Sequence, residues 1–363
     1  MKVLLVNNGN GWGGGQEFLL ELACELRKQA FEIHFVVRGG SPSEDRFRKS
    51  DFAVHPVFRD VTSFFSLATV MRRERFDVVS INREHDIPLT VISRFMAFPF
   101  LRTGRLVANY HIPVARRQPF LGVMDAVICV SDYIRDSLLR LYPAVAKKTC
   151  VISNGISTAF VASEEKYSPT RRRRYFQDSS FPLIGMVGAF WKNQAELVDC
   201  IPLLKDKFPN IKVVFVGDNT DLPLVSPVMK KIRELGVENQ VIFTGKVARE
   251  SIHDIFFDLD VSVSTHRNEG FGIVHLESLT AGTPVVSYNA GGVRDILAGR
   301  DVGVLVDGGH EEFSKEVAAL IDDDARRYRM GRAGVNLVRQ QFSDTAMALK
   351  YRMVLEKLCR GDV

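Results

Sequence analysis

The sequence predicts an α/β protein made of two consecutive doubly wound domains of similar size. Short runs rich in Val, Ile and Leu alternate with segments of helical apolar spacing along the whole chain. That alternation is the pattern of βαβ units around a parallel sheet. The rhythm breaks once near the middle and then restarts much as it begins at residue 1. At 363 residues the chain also exceeds what one core usually fills, so two domains are expected.

The elements follow in order. Met1-Lys2-Val3-Leu4-Leu5-Val6-Asn7 reads as a buried strand. A Gly-rich loop (Gly9, Gly11, Gly13, Gly14, Gly15) leads into residues 17–26, whose apolar positions have helical spacing. Residues 33–37, 78–81, 106–109 and 126–130 supply the next strands. Residues 164–180 hold Pro169, four arginines (Arg171 to Arg174) and a polar tail. They read as a connection between a first domain over 1–163 and a second over 181–342. Residues 183–188, 213–217, 241–243, 261–263 and 285–287 are the strands of that second domain. Ser343 and Asp344 suit the cap of a last helix within 343–363, expected to pack back on the first domain.

Composition narrows the class. Apolar content of 46% and charged content of 25% match an ordinary soluble globular protein. The five cysteines (Cys24, Cys129, Cys150, Cys200, Cys359) form no CxxC pair and have mostly apolar neighbours, the usage of a reducing compartment without disulfides or a zinc site. The first apolar run is too short for a signal peptide, and no window has the length of a membrane span. A cytoplasmic protein is expected. The net charge of +5 is uneven, +6 over residues 1–163 and −1 over the rest. A basic first half suits an anionic membrane, an acidic acceptor or nucleic acid, or is simply a solvated surface. Arginines mixed with aromatics over 94–105 and 116–121, with Phe64-Phe65 and Met71-Arg72-Arg73, suit a membrane surface or a lipid-linked substrate. They also fit core-facing aromatics beside solvated arginines.

The most informative segment is Asn268-Glu269-Gly270-Phe271-Gly272-Ile273-Val274-His275-Leu276-Glu277. A strand, a Gly turn and a helix opening expose backbone N–H groups and a positive helix end, which suit a phosphate. Glu269 before the turn and Glu277 about two helical turns later can accept from hydroxyls on either side of it. Sugar, phosphate and ribose in one row make a nucleotide-sugar. An acid/base pair of the glycosidase kind ranks below this binding reading. No clustered His/Asp set stands near, so no metal is expected.

Other positions carry two readings each. Gly14 and Gly15 follow the first strand and either let backbone approach a phosphate or form a flexible turn. His111, after the strand at 106–109, either bonds a substrate or is structural. Lys192, just beyond Gly188, either neutralises a diphosphate or is solvated. Gly217 ends a strand and can approach a nucleotide base. Asn154-Gly155 is foremost a turn.

Together these residues resemble the retaining glycosyltransferases of the GT-B fold, family 4, nearly end to end. The resemblance rests on the early Gly-Gly, on His111, on Val151 to Ile156 with Phe160, and on Gly188 with Lys192-Asn193-Gln194. It is most specific in Glu269-Gly270-Phe271-Gly272 through Glu277, in Ala281-Gly282-Thr283-Pro284-Val285-Val286, and in Gly291-Gly292-Val293. It implies two Rossmann-like domains with parallel sheets facing across a cleft. It further implies that Glu269 holds donor-sugar hydroxyls beside the amides of Phe271 and Gly272, and that Glu277 holds the ribose. Lys192 would stabilise the diphosphate, and His111 with Gly14-Gly15 would meet the donor from the first domain.

Such enzymes retain anomeric configuration without a catalytic metal or cofactor. The donor is then a UDP-, GDP- or ADP-sugar, and the acceptor a glycan or lipid-linked hydroxyl of the bacterial envelope. Peripheral contact with an anionic membrane, and no nucleic-acid partner, complete the expectation. A nucleotide-sugar epimerase and a non-catalytic nucleotide-sugar-binding protein are the alternatives. Two positions depart from the family: Ala189 stands where an arginine is usual, and Asp295 where a glutamate is frequent.

Overall fold

The computed structural model describes residues 1–58, 60–98, 104–158, 174–176 and 181–362. The chain divides into two compact units, Met1–Gly155 with Ser343–Val363, and Ile156–Phe342.

Unit 1 has seven parallel strands: β1 (Lys2–Asn7), β2 (Glu32–Arg38), β3 (Ala53–Val57), β4 (Val78–Ile81), β5 (Arg105–Tyr110), β6 (Ala126–Cys129) and β7 (Thr149–Val151). Their order is β3-β2-β1-β4-β5-β6-β7. Its helices are α1 (Gly14–Lys28), α2 (Pro42–Lys49), α3 (Thr62–Glu74), α4 (Ile87–Ala97) and α5 (Asp132–Leu141). β4 and β6 are buried along their whole length, as strands covered on both faces must be. Val3, Leu5, Phe35, Val78 and Ile128 from the sheet meet Phe18, Leu22 and Leu26 of α1 in the core. The strand order reverses between β1 and β4, where an α/β sheet opens a crevice at its carboxyl ends.

Unit 2 repeats the plan with six parallel strands: β8 (Leu183–Val187), β9 (Lys212–Val216), β10 (Val241–Gly245), β11 (Val261–Ser264), β12 (Val285–Tyr288) and β13 (Gly303–Val306). Their order is β10-β9-β8-β11-β12-β13. Its helices are α6 (Gln194–Lys207), α7 (Leu222–Leu235), α8 (Arg249–Asp258), α9 (Ile273–Thr280), α10 (Arg294–Leu297), α11 (His310–Asp322) and α12 (Asp324–Gln341). One face packs Met186, Phe215 and Val263 against Leu197 and Ile201 of α6 and Phe313 of α11. The other packs Val214 and Val216 against Ile255 and Phe256 of α8. Here the order reverses between β8 and β11.

The chain then rejoins unit 1 as α13 (Asp344–Arg360). Ser343 Oγ accepts from the Ala346 N–H at 3.1 Å and caps it. Met347, Tyr351 and Leu355 enter the unit 1 core, and the Tyr351 hydroxyl donates to Asn109 Oδ1 at 3.0 Å. A Cβ at Gly155 would lie 2.5 Å from the Ser343 carbonyl oxygen, so glycine admits that backbone approach. Phe160 and most of the expected connection over 164–180 lie outside the described residues. Arg174, Tyr175 and Phe176 donate their N–H groups to the buried Asp258 carboxylate at 2.7–2.8 Å.

Candidate functional site

The carboxyl end of β8 turns sharply at Gly188, whose φ of +146° is outside the range of ordinary side chains. The space a Cβ would take is filled by Lys192 Cδ, 3.1 Å away. A Cβ at Gly217 would lie 2.3 Å from the Gly188 carbonyl oxygen, so β9 ends in glycine because the two strand ends nearly touch. Phe190 turns into the core toward Phe215 and Phe243, with ring centroids 6.3 and 5.9 Å away. The Ala189 carbonyl accepts from the Lys192 N–H at 3.1 Å and from the Gln194 amide at 2.7 Å. Ala189 thus serves the site through its backbone. These contacts pin residues 188–194 and fix where Lys192 begins.

The segment after β11 is tied to this loop by Thr265 Oγ1, which donates to the Asn193 carbonyl at 2.8 Å. It brings Glu269 to Lys192: Nζ donates to Oε2 at 2.6 Å, with the side chains 17% and 15% exposed. Burial alone would push the Glu269 carboxyl up, but the Lys192 ammonium outweighs it and holds the group below the usual carboxylate range. The Gly291–Val293 turn supports the segment from behind. The Glu269 carbonyl accepts from the Gly292 N–H at 2.7 Å, and a Cβ at Gly292 would lie 2.1 Å from the Gly270 oxygen. The downstream Gly-Gly-Val is therefore a backbone cradle for Glu269 and Gly270.

Gly272, at φ +96°, starts α9. A Cβ there would lie 2.4 Å from His275 Cδ2. His275 is only 1% exposed, and neither ring nitrogen has a hydrogen-bond partner among the described residues. Burial holds its pKa down to about 4, so the ring is neutral at physiological pH. The first turn of α9 presents N–H groups without intrahelical acceptors and the positive end of the helix. Ile273 opens that turn, Phe271 is buried beside it, and the partly buried Glu277 follows farther along α9.

Gly188, Lys192, Glu269, Gly270, Phe271, Gly272 and Ile273 thus converge at the reversal between β8 and β11, with Gly217 against Gly188. A cation beside a helix start suits an anion, and a carboxylate beside both suits hydroxyl donors. Gly14, Gly15 and His111 belong to unit 1. A Cβ at Gly14 or Gly15 would meet no atom within 4 Å, so packing does not require glycine at either. His111 lies edge-on to Phe18 with centroids 5.0 Å apart, and burial lowers its pKa to about 4.

Sequence reasoning missed the Lys192–Glu269 pair and the buried His275, although His275 stands inside the run that drew attention. It also passed over Trp191, which is 58% exposed and lies next to Lys192. Among the described residues, no group of three or more His, Cys, Asp or Glu is placed to hold a metal ion. No described helix is long and apolar enough to cross a membrane.

The model of "Glycosyl transferases group 1" matches residues 169–336, and that of "Glycosyltransferase Family 4" matches residues 12–160. A GDP-mannose-dependent alpha-(1-6)-phosphatidylinositol monomannoside mannosyltransferase of Mycobacterium tuberculosis is 31% identical over 99% of this chain and 98% of its own. A D-inositol 3-phosphate glycosyltransferase of Corynebacterium glutamicum is 25% identical over 91% of this chain and 89% of its own. Among solved structures, Anabaena HepE in complex with UDP superposes with a TM-score of 0.84 at 19% identity, covering 98% of this chain and 100% of that one. With 31% identity to a mannosyltransferase over nearly the whole length and both halves matched by the family models, the chain belongs to the GT-B glycosyltransferases of family 4.

Proposed function

We propose that this glycosyltransferase transfers a sugar with retention from a nucleoside-diphosphate sugar to a hydroxyl of a glycan or lipid-linked acceptor in bacterial envelope synthesis. The observation that carries the reading is the Lys192–Glu269 pair, held at 2.6 Å beside the start of α9. Lys192 and the first amides of α9 take the diphosphate, Glu269 takes hydroxyls of the transferred sugar, and Glu277 takes the ribose. The names of the relatives, with GDP-mannose and phosphatidylinositol in one of them, support a nucleotide-sugar donor and a lipid-linked acceptor.

The chemistry follows from charge and position. The bond between the anomeric carbon and the diphosphate oxygen breaks while Lys192 and the helix end stabilise the negative charge that develops. The acceptor oxygen attacks the same face, and its proton passes to the departing phosphate oxygen. Configuration is thereby retained without a protein nucleophile. The diphosphate charge rests on Lys192 and backbone amides instead of a bound cation, so chelators leave the rate unchanged. His111, neutral by burial, serves as a hydrogen-bonding group, and Gly14-Gly15 leave backbone open to a ligand.

The test is incubation with UDP-, GDP- and ADP-sugars, following nucleotide release and the anomeric configuration of the product by NMR. Release of one nucleotide only when an acceptor is present, with an unchanged anomeric configuration, supports the reading. An inverted product refutes retention, and no release from any donor refutes the transfer.

A further inference from the structure

The loop that delivers Lys192 also displays an indole that no role above uses. Phe190 is 5% exposed and faces the core, whereas its neighbour Trp191 is 58% exposed. A large aromatic ring left in water forgoes substantial burial energy. This one is nevertheless held in place. His266 meets it edge-on, with centroids 5.2 Å apart and planes at 85°, and the backbone on either side is fixed by the Ala189, Lys192, Asn193 and Gln194 contacts already described.

Its place in the site is closely bounded. Lys192 Nζ lies 5.5 Å from the indole centroid and 2.6 Å from Glu269 Oε2. Laid end to end, those distances put the carboxylate within about 8.1 Å of the indole centroid. Both groups therefore lie within reach of one pyranose. Its hydroxyls lie at the rim and its C–H groups on its faces, so one ring can give hydroxyl donors to a carboxylate and an apolar, weakly positive face to an indole. The negative π face of tryptophan attracts that partner and excludes water from it.

We propose that Trp191 is the stacking platform for the sugar ring of the donor, braced by His266, and that it sets affinity for the glycosyl part as distinct from the nucleotide. The proposal rests on the donor reading given above. It makes Trp191 a binding residue that selects pyranoses with an unobstructed C–H face.

The chain has two tryptophans, and Trp12 lies in unit 1 against Phe47. A Trp12→Phe protein therefore reports on Trp191 alone. It is titrated with UDP-glucose, GDP-mannose, UDP and GDP by fluorescence and by calorimetry. The expected result is an emission change with a nucleotide-sugar that the matching free nucleotide does not produce. Because Trp191 is exposed, Trp191→Ala should fold normally. It should weaken the nucleotide-sugar about tenfold, leave the free nucleotide within about twofold, and be largely rescued by Trp191→Phe. Emission that responds equally to free nucleotide, or calorimetric affinity for the sugar unchanged in Trp191→Ala, overturns the platform and leaves donor binding standing. Calorimetric silence toward all four ligands, and toward ADP-glucose and ADP titrated in the same way, overturns the donor reading and the platform with it.

Discussion

Lys192 and Glu269 should be strongly coupled, and the coupling can be measured apart from activity. At 2.6 Å and an effective dielectric of about 20, the attraction is about 6 kcal/mol before desolvation. Both side chains are more than four-fifths shielded from water, so desolvation returns a large part of it. Lys192→Met or Glu269→Gln leaves the other partner shielded without its counterpart and should cost about 3 kcal/mol. The double variant should cost about 2–3 kcal/mol less than the two single losses together. Urea unfolding of the four proteins, followed through the unit 2 transition, gives the cycle. Additivity within about 0.5 kcal/mol would refute the coupling. The same variants separate the two proposed roles. Lys192→Met should weaken UDP and UDP-sugars alike, whereas Glu269→Gln should weaken only the sugar conjugates, since it releases Lys192 to the diphosphate. Equal losses for UDP in both variants would sink that division of labour.

Gly292→Ala forces a Cβ to within 2.1 Å of the Gly270 oxygen and must displace the Glu269 segment; a loss of about 2–4 kcal/mol and at least tenfold in kcat/KM is expected from thermal melts and nucleotide-release rates. Acid should destabilise unit 2 through His275. Its folded pKa, about 4 against an ordinary 6.5, means the unfolded chain binds the extra proton between those values, so this contribution is complete above pH 6.5 and falls by about 3 kcal/mol as pH drops to 4. His275→Leu should flatten that stretch of the stability–pH curve, and an unchanged slope would count against it. Phe65 of α3 and Phe95 of α4 are 63% and 66% exposed on helices that pack together. If they meet a membrane, Phe65→Ser with Phe95→Ser should reduce co-sedimentation with phosphatidylglycerol vesicles about tenfold; a wild type that ignores such vesicles ends the idea. Arg105 is no probe for it, because it lies on β5 and pairs with Asp125 at 3.1 Å.

Strands inside each sheet were legible because burial on both faces leaves an uninterrupted apolar run, as in Val3-Leu4-Leu5-Val6 and Val213-Val214-Phe215-Val216. Of the edge strands, β10 was legible from Val241-Ile242-Phe243, whereas β3 and β13 escaped. β3 contains His55 and Pro56, tolerable only where one side of the strand needs no partner, and β13 starts with a glycine and is only partly buried. Glu269 was legible because the glycines around it have no other economical explanation. Its pairing with Lys192 was not, since 77 residues separate the two and only the reversal of strand order between β8 and β11 brings them together. His275 and Trp191 share that difficulty: a histidine inside a helical run and a tryptophan in a turn have no spacing that announces what faces them.

The glycines show how far a sequence reading of such a site can go. Gly14, Gly15, Gly188, Gly217 and Gly272 all read from the sequence as places near a ligand and Gly292 as part of a downstream loop, yet the structure sorts them by cause. Gly188, Gly217, Gly272 and Gly292 are required by the protein itself, through positive φ or through another chain segment lying where a Cβ would stand. Gly14 and Gly15 meet neither condition: their φ values are ordinary and the space beside them is open. They are the first two residues of α1, where glycine costs less than in a helix interior, and Gly11 and Gly122 share their open surroundings. The unit 2 glycines therefore shape the position of Lys192 and Glu269, whereas neither packing nor backbone conformation selects glycine at positions 14 and 15.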